Sequence, residues 1–368
     1  MKALIFPLIL LTLLIVSSCS RDPDSDLVPV YQPHPYAIGI PPGFPDKLNI
    51  PEDNPMTLEG IELGRYLFYD GRLSGRTDPD SLMTCATCHK QENSFEIGLP
   101  RPAPHGITGI PTPHAMLPLV NIVWNQSSLL WNGKVSRIED LVWMGIIAPH
   151  EMNGDTNRVK DLIQSIPLYP PMFNKAFGSD AVTMQNISKA IAQFIRTLIS
   201  CNSKFDMYLH GEVQLSPSEL NGFVLFTTEE GADCFHCHGG GGNPLFTTHL
   251  FYNNGKDTVF TDPYDRYSIT GDPMNHGAYK ATTLRNIEFT GPYMHDGRFS
   301  TLDEVIEFYS HHLVWSPYTD PLMHYINQGG VQLTPQEKAD LKAFLLTLSD
   351  TAFINNPGFG PPEQFSGW

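Results

Sequence analysis

Cys85-Ala86-Thr87-Cys88-His89 recurs in the second half of the chain as Cys234-Phe235-His236-Cys237-His238. In Cys-x-x-Cys-His the two thiols are spaced to form thioethers with both vinyl groups of one porphyrin. The histidine that follows is then held against the iron as its proximal ligand. A single match of this kind also fits half of a zinc site or a chance loop. Two matches with similar flanks point to two covalently attached c-type haems, on His89 and His238.

The flanks carry the repeat outward. Leu63-Gly64-Arg65-Tyr66-Leu67-Phe68 precedes the first motif and Leu220-Asn221-Gly222-Phe223-Val224-Leu225-Phe226 the second. Ala190 to Leu198 follows the first, and Leu341 to Leu348 the second, each apolar at helical spacing. Each half reads as helix, haem motif, long loops and closing helix, which is an internal duplication. The predicted fold is mainly α: two cytochrome c-like haem domains, with long Pro/Gly-rich loops and no convincing alternating strands. Its divisions are 1–19 (lipoprotein signal peptide), 20–54 (N-terminal tether), 55–205 (first domain), 206–350 (second domain) and 351–368 (C-terminal tail).

With 368 residues there is length for two domains, each with its own core. The 32 prolines and 30 glycines demand extensive ordered loops, which a porphyrin-filled core tolerates. A net charge of −16 argues against nucleic acid as a partner. At the N-terminus, Met1-Lys2, the apolar run Ala3 to Val16 and Ser17-Ser18-Cys19 form an export signal too short to span a bilayer. Val16-Ser17-Ser18-Cys19 resembles the lipobox of bacterial lipoproteins, in which the Cys is lipidated. The expected location is periplasmic, with membrane contact only through Cys19. Ser20 is compatible with outer-membrane sorting. Four of the six cysteines go to haem and Cys19 to lipid, so Cys201 is left alone and no disulfide framework exists.

Start signals punctuate the rest. Asn54-Pro55 offers N-cap and N1 chemistry, and Ser216-Pro217-Ser218-Glu219, Thr301-Leu302-Asp303-Glu304 and Thr334-Pro335-Gln336-Glu337 read as capping boxes. Arg137 to Met144 and Arg158 to Ile163 look helical. Phe95 to Leu119 is too rich in Pro and Gly for a long helix. Gly239 to Gly242 lacks the Lys-Ser/Thr of a P-loop and reads as backbone passing the porphyrin edge.

From about Pro55 to Leu348 the chain resembles the bacterial di-haem cytochrome c peroxidase family. Besides the haem motifs, Leu129-Leu130-Trp131-Asn132-Gly133-Lys134 is similar to the family segment between the haems. Thr283-Leu284-Arg285-Asn286 with Thr290-Gly291-Pro292-Tyr293-Met294-His295-Asp296-Gly297 is similar to its second-domain signature. The resemblance implies that the first haem is peroxidatic. His105, sixteen residues after His89, then falls on the distal ligand position, with His114 a rival on the same loop. Glu151, in Pro149-His150-Glu151-Met152, falls on the catalytic acid–base, although the intervening segment is one residue shorter than usual and a solvated helix-end Glu is the rival reading. Trp131 becomes the aromatic bridge for electrons, against an ordinary core role. Asn121, Thr290 and Pro292 fall on a calcium site between the domains.

The second haem receives electrons in this scheme. In the family's high-potential members its sixth ligand is a Met; here that position is Tyr309, fourteen residues after His295. Met274, Met294 and His311 are the other candidates. A Tyr ligand favours ferric iron and resembles the subclass that matures methylamine dehydrogenase. The resemblance thus implies an enzyme, an exported peroxidase reducing hydrogen peroxide with electrons from a small donor such as a mono-haem cytochrome c or a cupredoxin. The alternatives are a maturation-type oxidase acting on a partner protein and a non-enzymatic electron carrier. Homodimers are common in the family.

Overall fold

A computed structural model describes residues 31–99, 103–126 and 128–365. Its first helix, α1 (Leu58–Phe68), starts later than Asn54-Pro55 predicts. Thr57 is the cap, its hydroxyl accepting from Gly60 N–H, while the Asn54 side chain is spent on Glu139 and the Lys189 carbonyl. Tertiary contacts outbid the local signal. Next come α2 (Ile138–Ile147), α3 (Thr156–Ser165), α4 (Tyr169–Phe177) and α5 (Met184–Arg196), which closes the first half. The second half is built from α6 (Lys204–Leu209), α7 (Pro217–Thr227), α8 (Phe235–His238), α9 (Tyr267–Thr270), α10 (Leu302–His311) and α11 (Pro335–Leu346). All three predicted capping boxes form, opening α7, α10 and α11. Among the described residues of 95–119 there is no helix, and a single antiparallel ribbon pairs β1 (Phe251–Tyr252) with β2 (Tyr279–Lys280). The fold is mainly helical, as expected.

The duplication is carried by two helix crossings. In the first half α1 packs on α5, and in the second α7 packs on α11. Glycine makes both approaches possible. A Cβ at Gly64 would sit 1.9 Å from the Ala190 carbonyl oxygen, and one at Gly222 would sit 1.9 Å from that of Asp340. No flexible atom is there to yield. Gly64→Ala should therefore destabilise the first half by about 2–3 kcal/mol, the scale of an overpacked core. Differential scanning calorimetry checks this, and an unchanged melting profile would refute it.

Each half also holds a buried Arg–carboxylate pair. Arg196 is forked onto Glu139 at 2.8 and 3.1 Å, and Arg285 onto Asp206 at 2.8 and 2.6 Å. Both guanidiniums are fully buried.

The stretches expected as a tether and a tail both pack against the rest of the chain. The tether, where described, is packed: Ile38, Phe44 and Met56 form a small core with Trp124, and Tyr36 N–H donates to the Met56 carbonyl. Apolar residues among the prolines are what bury it. The tail does not trail either. After α12 (Thr351–Ile354) the chain returns to the first half, where Phe353 and Phe365 join the core around Phe95. Arg65 donates to the Gly360 and Pro357 carbonyls, and the Tyr69 hydroxyl to the Phe359 carbonyl. The change from one core to the other falls between Leu198 and Phe205, slightly before the expected boundary. The signal peptide and Cys19 lie outside the described residues. Among those described, no helix is long and apolar enough to cross a membrane.

Candidate functional site

Each Cys-x-x-Cys-His motif opens onto an apolar cavity. Cys85, Cys88 and His89 line one of about 340 Å³, and Cys234, Cys237 and His238 line one of about 220 Å³. The first motif is a 3₁₀ turn capped by Thr84, whose hydroxyl accepts from Thr87 N–H. The second forms α8. Both histidines donate Nδ1–H to a backbone carbonyl, His89 to Phe95 at 2.7 Å and His238 to Thr282 at 3.1 Å. That choice fixes the tautomer and leaves each Nε2 lone pair for a metal.

These residues fit haem better than zinc. Burial pushes the thiols of Cys85, Cys234 and Cys237 up to about 12 and that of Cys88 to about 11. Thioether bonds would leave both sulfurs of each motif uncharged in this apolar wall, whereas a zinc ion would have to hold them as thiolates. Nor are the four cysteine sulfurs, His89 or His238 in any group of side chains close enough to share one small ion among the described residues.

Glu151 lies on the wall of the first cavity, in the turn after α2. Its Oε2 sits so close to Gly145 that a Cβ there would be 2.9 Å away, so the missing side chain makes room for the carboxylate. Burial pushes the carboxyl above its ordinary range. His150 Nε2 is 3.8 Å from Oε1, an exposed and weak neighbour. His105 lines the same cavity from an exposed turn. That turn is tied to the Glu151 segment: Ile107 N–H donates to the Glu151 carbonyl at 2.8 Å, and Gly106 abuts His150. His114 lines the cavity as well, with its ring tied to the second half. Its Nε2 is 2.6 Å from Asp262, in a group that includes Tyr279 and His295.

Trp131 walls both cavities, together with Lys280 and Thr282. It rides a tight turn bridged between Leu129 and Val135, with Leu130 and Gly133 in the left-handed region. Its indole N–H donates to the Ala115 carbonyl at 2.8 Å, and its own carbonyl accepts from Lys280 N–H. Thr282, the third shared wall, is the residue whose carbonyl holds His238.

Tyr309 faces the second cavity from α10. Asn254 donates to its hydroxyl oxygen at 2.9 Å and also reaches the Met294 sulfur at 3.8 Å. Burial raises the phenol pKa, opposed by that hydrogen bond. Met294 lines the cavity too, whereas Met274 is exposed and neither it nor His311 is among the lining residues.

The calcium positions are less organised. Both ends of the Asn121 amide are spent on Ser200, while Thr290 and Pro292 would offer backbone carbonyls, Pro292 following a cis peptide bond. The three oxygens form a neutral set, so the calcium expectation rests on the resemblance. One feature nearby would welcome a cation. Glu96 Oε1 is buried without a partner, burial pushes that carboxyl up to about 8, and its charge is felt by Tyr293.

Several residues of the site escaped sequence reasoning. Asn254 carries no motif. Lys280, whose Nζ is 2.8 Å from Ser128 Oγ, is pushed down to about 7 by burial and by Arg266. His249, on the first cavity's wall, has a buried Nε2 without a partner and is pushed down to about 4. The positive φ of His249, 58°, is the kind of constraint no residue pattern announces.

Residues 58–214 match the family model described as di-haem cytochrome c peroxidase. The methylamine utilization protein MauG of Methylophilus methylotrophus is 32% identical over 309 residues, covering 84% of this chain and 88% of that protein. Cytochrome c551 peroxidase of Nitrosomonas europaea is 32% identical over 265 residues, 69% of this chain and 73% of that one. Among solved structures, a MauG-like protein associated with microbial copper homeostasis superposes with a TM-score of 0.79 at 33% identity, covering 89% of this chain and 99% of its own. The di-haem peroxidase BthA of Burkholderia thailandensis gives 0.67 at 18% identity, covering 84% and 91%, a likeness of fold.

Proposed function

The chain belongs to the di-haem cytochrome c peroxidase family, and on that premise we propose that it reduces hydrogen peroxide to water in the first cavity, with electrons entering through the second. The haems held by His89 and His238 would supply the electrons and the metal to which peroxide binds. Glu151 moves the proton: its carboxylate takes one from the inner peroxide oxygen and returns it to the outer, which leaves as water. Two electrons and two protons per peroxide give two waters. The carrying observation is that Glu151 and His89 line one cavity. The His105 turn, hydrogen-bonded to the Glu151 backbone, covers that side. Trp131 is the shared wall through which electrons pass from the second cavity to the first.

One observation favours a second reading. Tyr309 and Asn254 together occupy the second cavity, so a phenolate ligand there would hold its iron ferric. Electrons would then be drawn from residues of a partner protein, as in the maturation subclass, instead of from a small redox donor. Stopped-flow optical spectroscopy of the haem-loaded protein with peroxide, before and after one-electron reduction, separates the two. The peroxidase reading expects an inert oxidised form, a fast half-reduced form and an unchanged second-haem spectrum in Tyr309→Phe. A fast oxidised form with an altered spectrum in that variant reverses the assignment.

Calcium held by Asn121, Thr290 and Pro292, export, lipidation of Cys19 and a homodimer belong to the same proposal, and all rest on resemblance to relatives or to the lipobox.

A further inference from the structure

The second haem motif contains a histidine that haem attachment does not use. His236 donates Nδ1–H to Asp233 Oδ1 at 2.7 Å, and His324 places its Nδ1 3.0 Å from Asp233 Oδ2. A single carboxylate, with a side chain only 6% exposed, therefore orients two imidazoles from segments far apart in the chain. The rings stand edge to face with centroids 5.1 Å apart.

With Nδ1 engaged, His236 Nε2 turns to the Glu229 carboxylate, 3.5 Å from Oε1. Glu229, His236 and His324 each offer a ligand atom, and these atoms all lie within 4.8 Å of one another. The frame is fixed by backbone. The Tyr325 hydroxyl donates to the Glu229 carbonyl at 2.8 Å, joining the two segments, and Asp233 N–H reaches the Thr228 carbonyl. Asp233 itself takes a left-handed φ of 56°, which aims its carboxylate back at the rings. Among the described residues, the ion-pair partners of Glu229 and Asp233 are histidines alone, with no Lys or Arg supplying a permanent cation.

We propose that Glu229, His236 and His324 bind one divalent transition-metal ion, with Asp233 as their positioning residue and water completing the shell. Two imidazole nitrogens and a carboxylate oxygen suit zinc, nickel or copper(II) better than the hard cations calcium and magnesium. A carboxylate that accepts from the far nitrogen of a ligating histidine raises its basicity and holds its tautomer. The site lies on the rim of the second cavity, which His324 also lines. A bound ion would place positive charge beside the haem held by His238.

The test uses the haem-loaded protein, stripped of loose metal with a chelator and titrated with copper(II) sulfate, or zinc sulfate, alone. Calorimetry should show one equivalent bound, and the copper(II) EPR spectrum should carry nitrogen hyperfine structure. His324→Ala should abolish that equivalent, and Asp233→Asn should weaken it by about 10–100-fold, the usual effect of losing such a supporting partner. Glu229→Gln is an exposed change that should also weaken binding while leaving the haem spectrum intact. No bound equivalent would overturn the proposal. So would copper retained by both His324→Ala and Glu229→Gln, which would place it elsewhere, for instance among His114, Asp262 and His295.

Discussion

Glu151→Gln should lower the rate of peroxide consumption by about 10²–10⁴-fold, the usual contribution of a positioned acid–base group. The variant keeps the shape against Gly145 and the backbone bonds of the turn. Both haem spectra should therefore stay as they were. The pH profile makes the expectation sharper. Burial lifts the Glu151 carboxyl above the ordinary carboxylate range, and only its ionised form can take a proton from peroxide. Turnover should then rise with pH through that raised value and level off above it, and the Gln variant should lack this limb. Steady-state peroxide consumption across pH checks both statements. A Gln variant with near-normal turnover would return Glu151 to the role of a solvated helix-end residue.

Arg285→Met should cost about 3–5 kcal/mol, because removing one partner of a buried pair strands the other charge. The stranded group is Asp206. Its pKa lies below the ordinary value despite burial, because Arg285 and Ser203 hydrogen-bond to its charged form. Arg285 also donates to the Pro244 carbonyl and lies over the Phe44 ring, so its loss loosens α6, the loop after the second motif and the N-terminal segment together. Replacing both partners by apolar residues of similar volume should recover much of the loss. Chemical denaturation of the single and double variants measures the difference. Equal stability of Arg285→Met and the parent would refute it.

Much of this molecule is legible in its residues, for local reasons. A capping box needs four consecutive residues, and all three form. A Cys-x-x-Cys-His motif needs five, and both open onto a cavity. The repeat was visible because Gly64 and Gly222 sit in similar flanks, although only the backbone contacts explain why glycine is required there. Asn54 shows the limit. Its pattern with Pro55 is a sound helix start, yet Glu139, brought near by folding, captures its side chain. Asn254, His249 and the Thr282 carbonyl were invisible for the same reason. Each owes its place to partners distant in the chain, and a carbonyl has no residue type to betray it. The packing of 31–54 and 351–365 is not legible in the same way, because proline and glycine signal irregular backbone, and irregular backbone can still be buried.

The return of residues 351–365 to the first half has a consequence for how the protein is made. Phe353 and Phe359 close over Phe95, the residue whose carbonyl holds His89, and Phe365 packs on Tyr66 beside them. The first half therefore lacks part of its wall until the end of the second has been synthesised. The second motif can fold around its own core, whereas the first waits for a segment synthesised after the second motif. Biogenesis should run against chain order, with the N-terminal half the later of the two to mature.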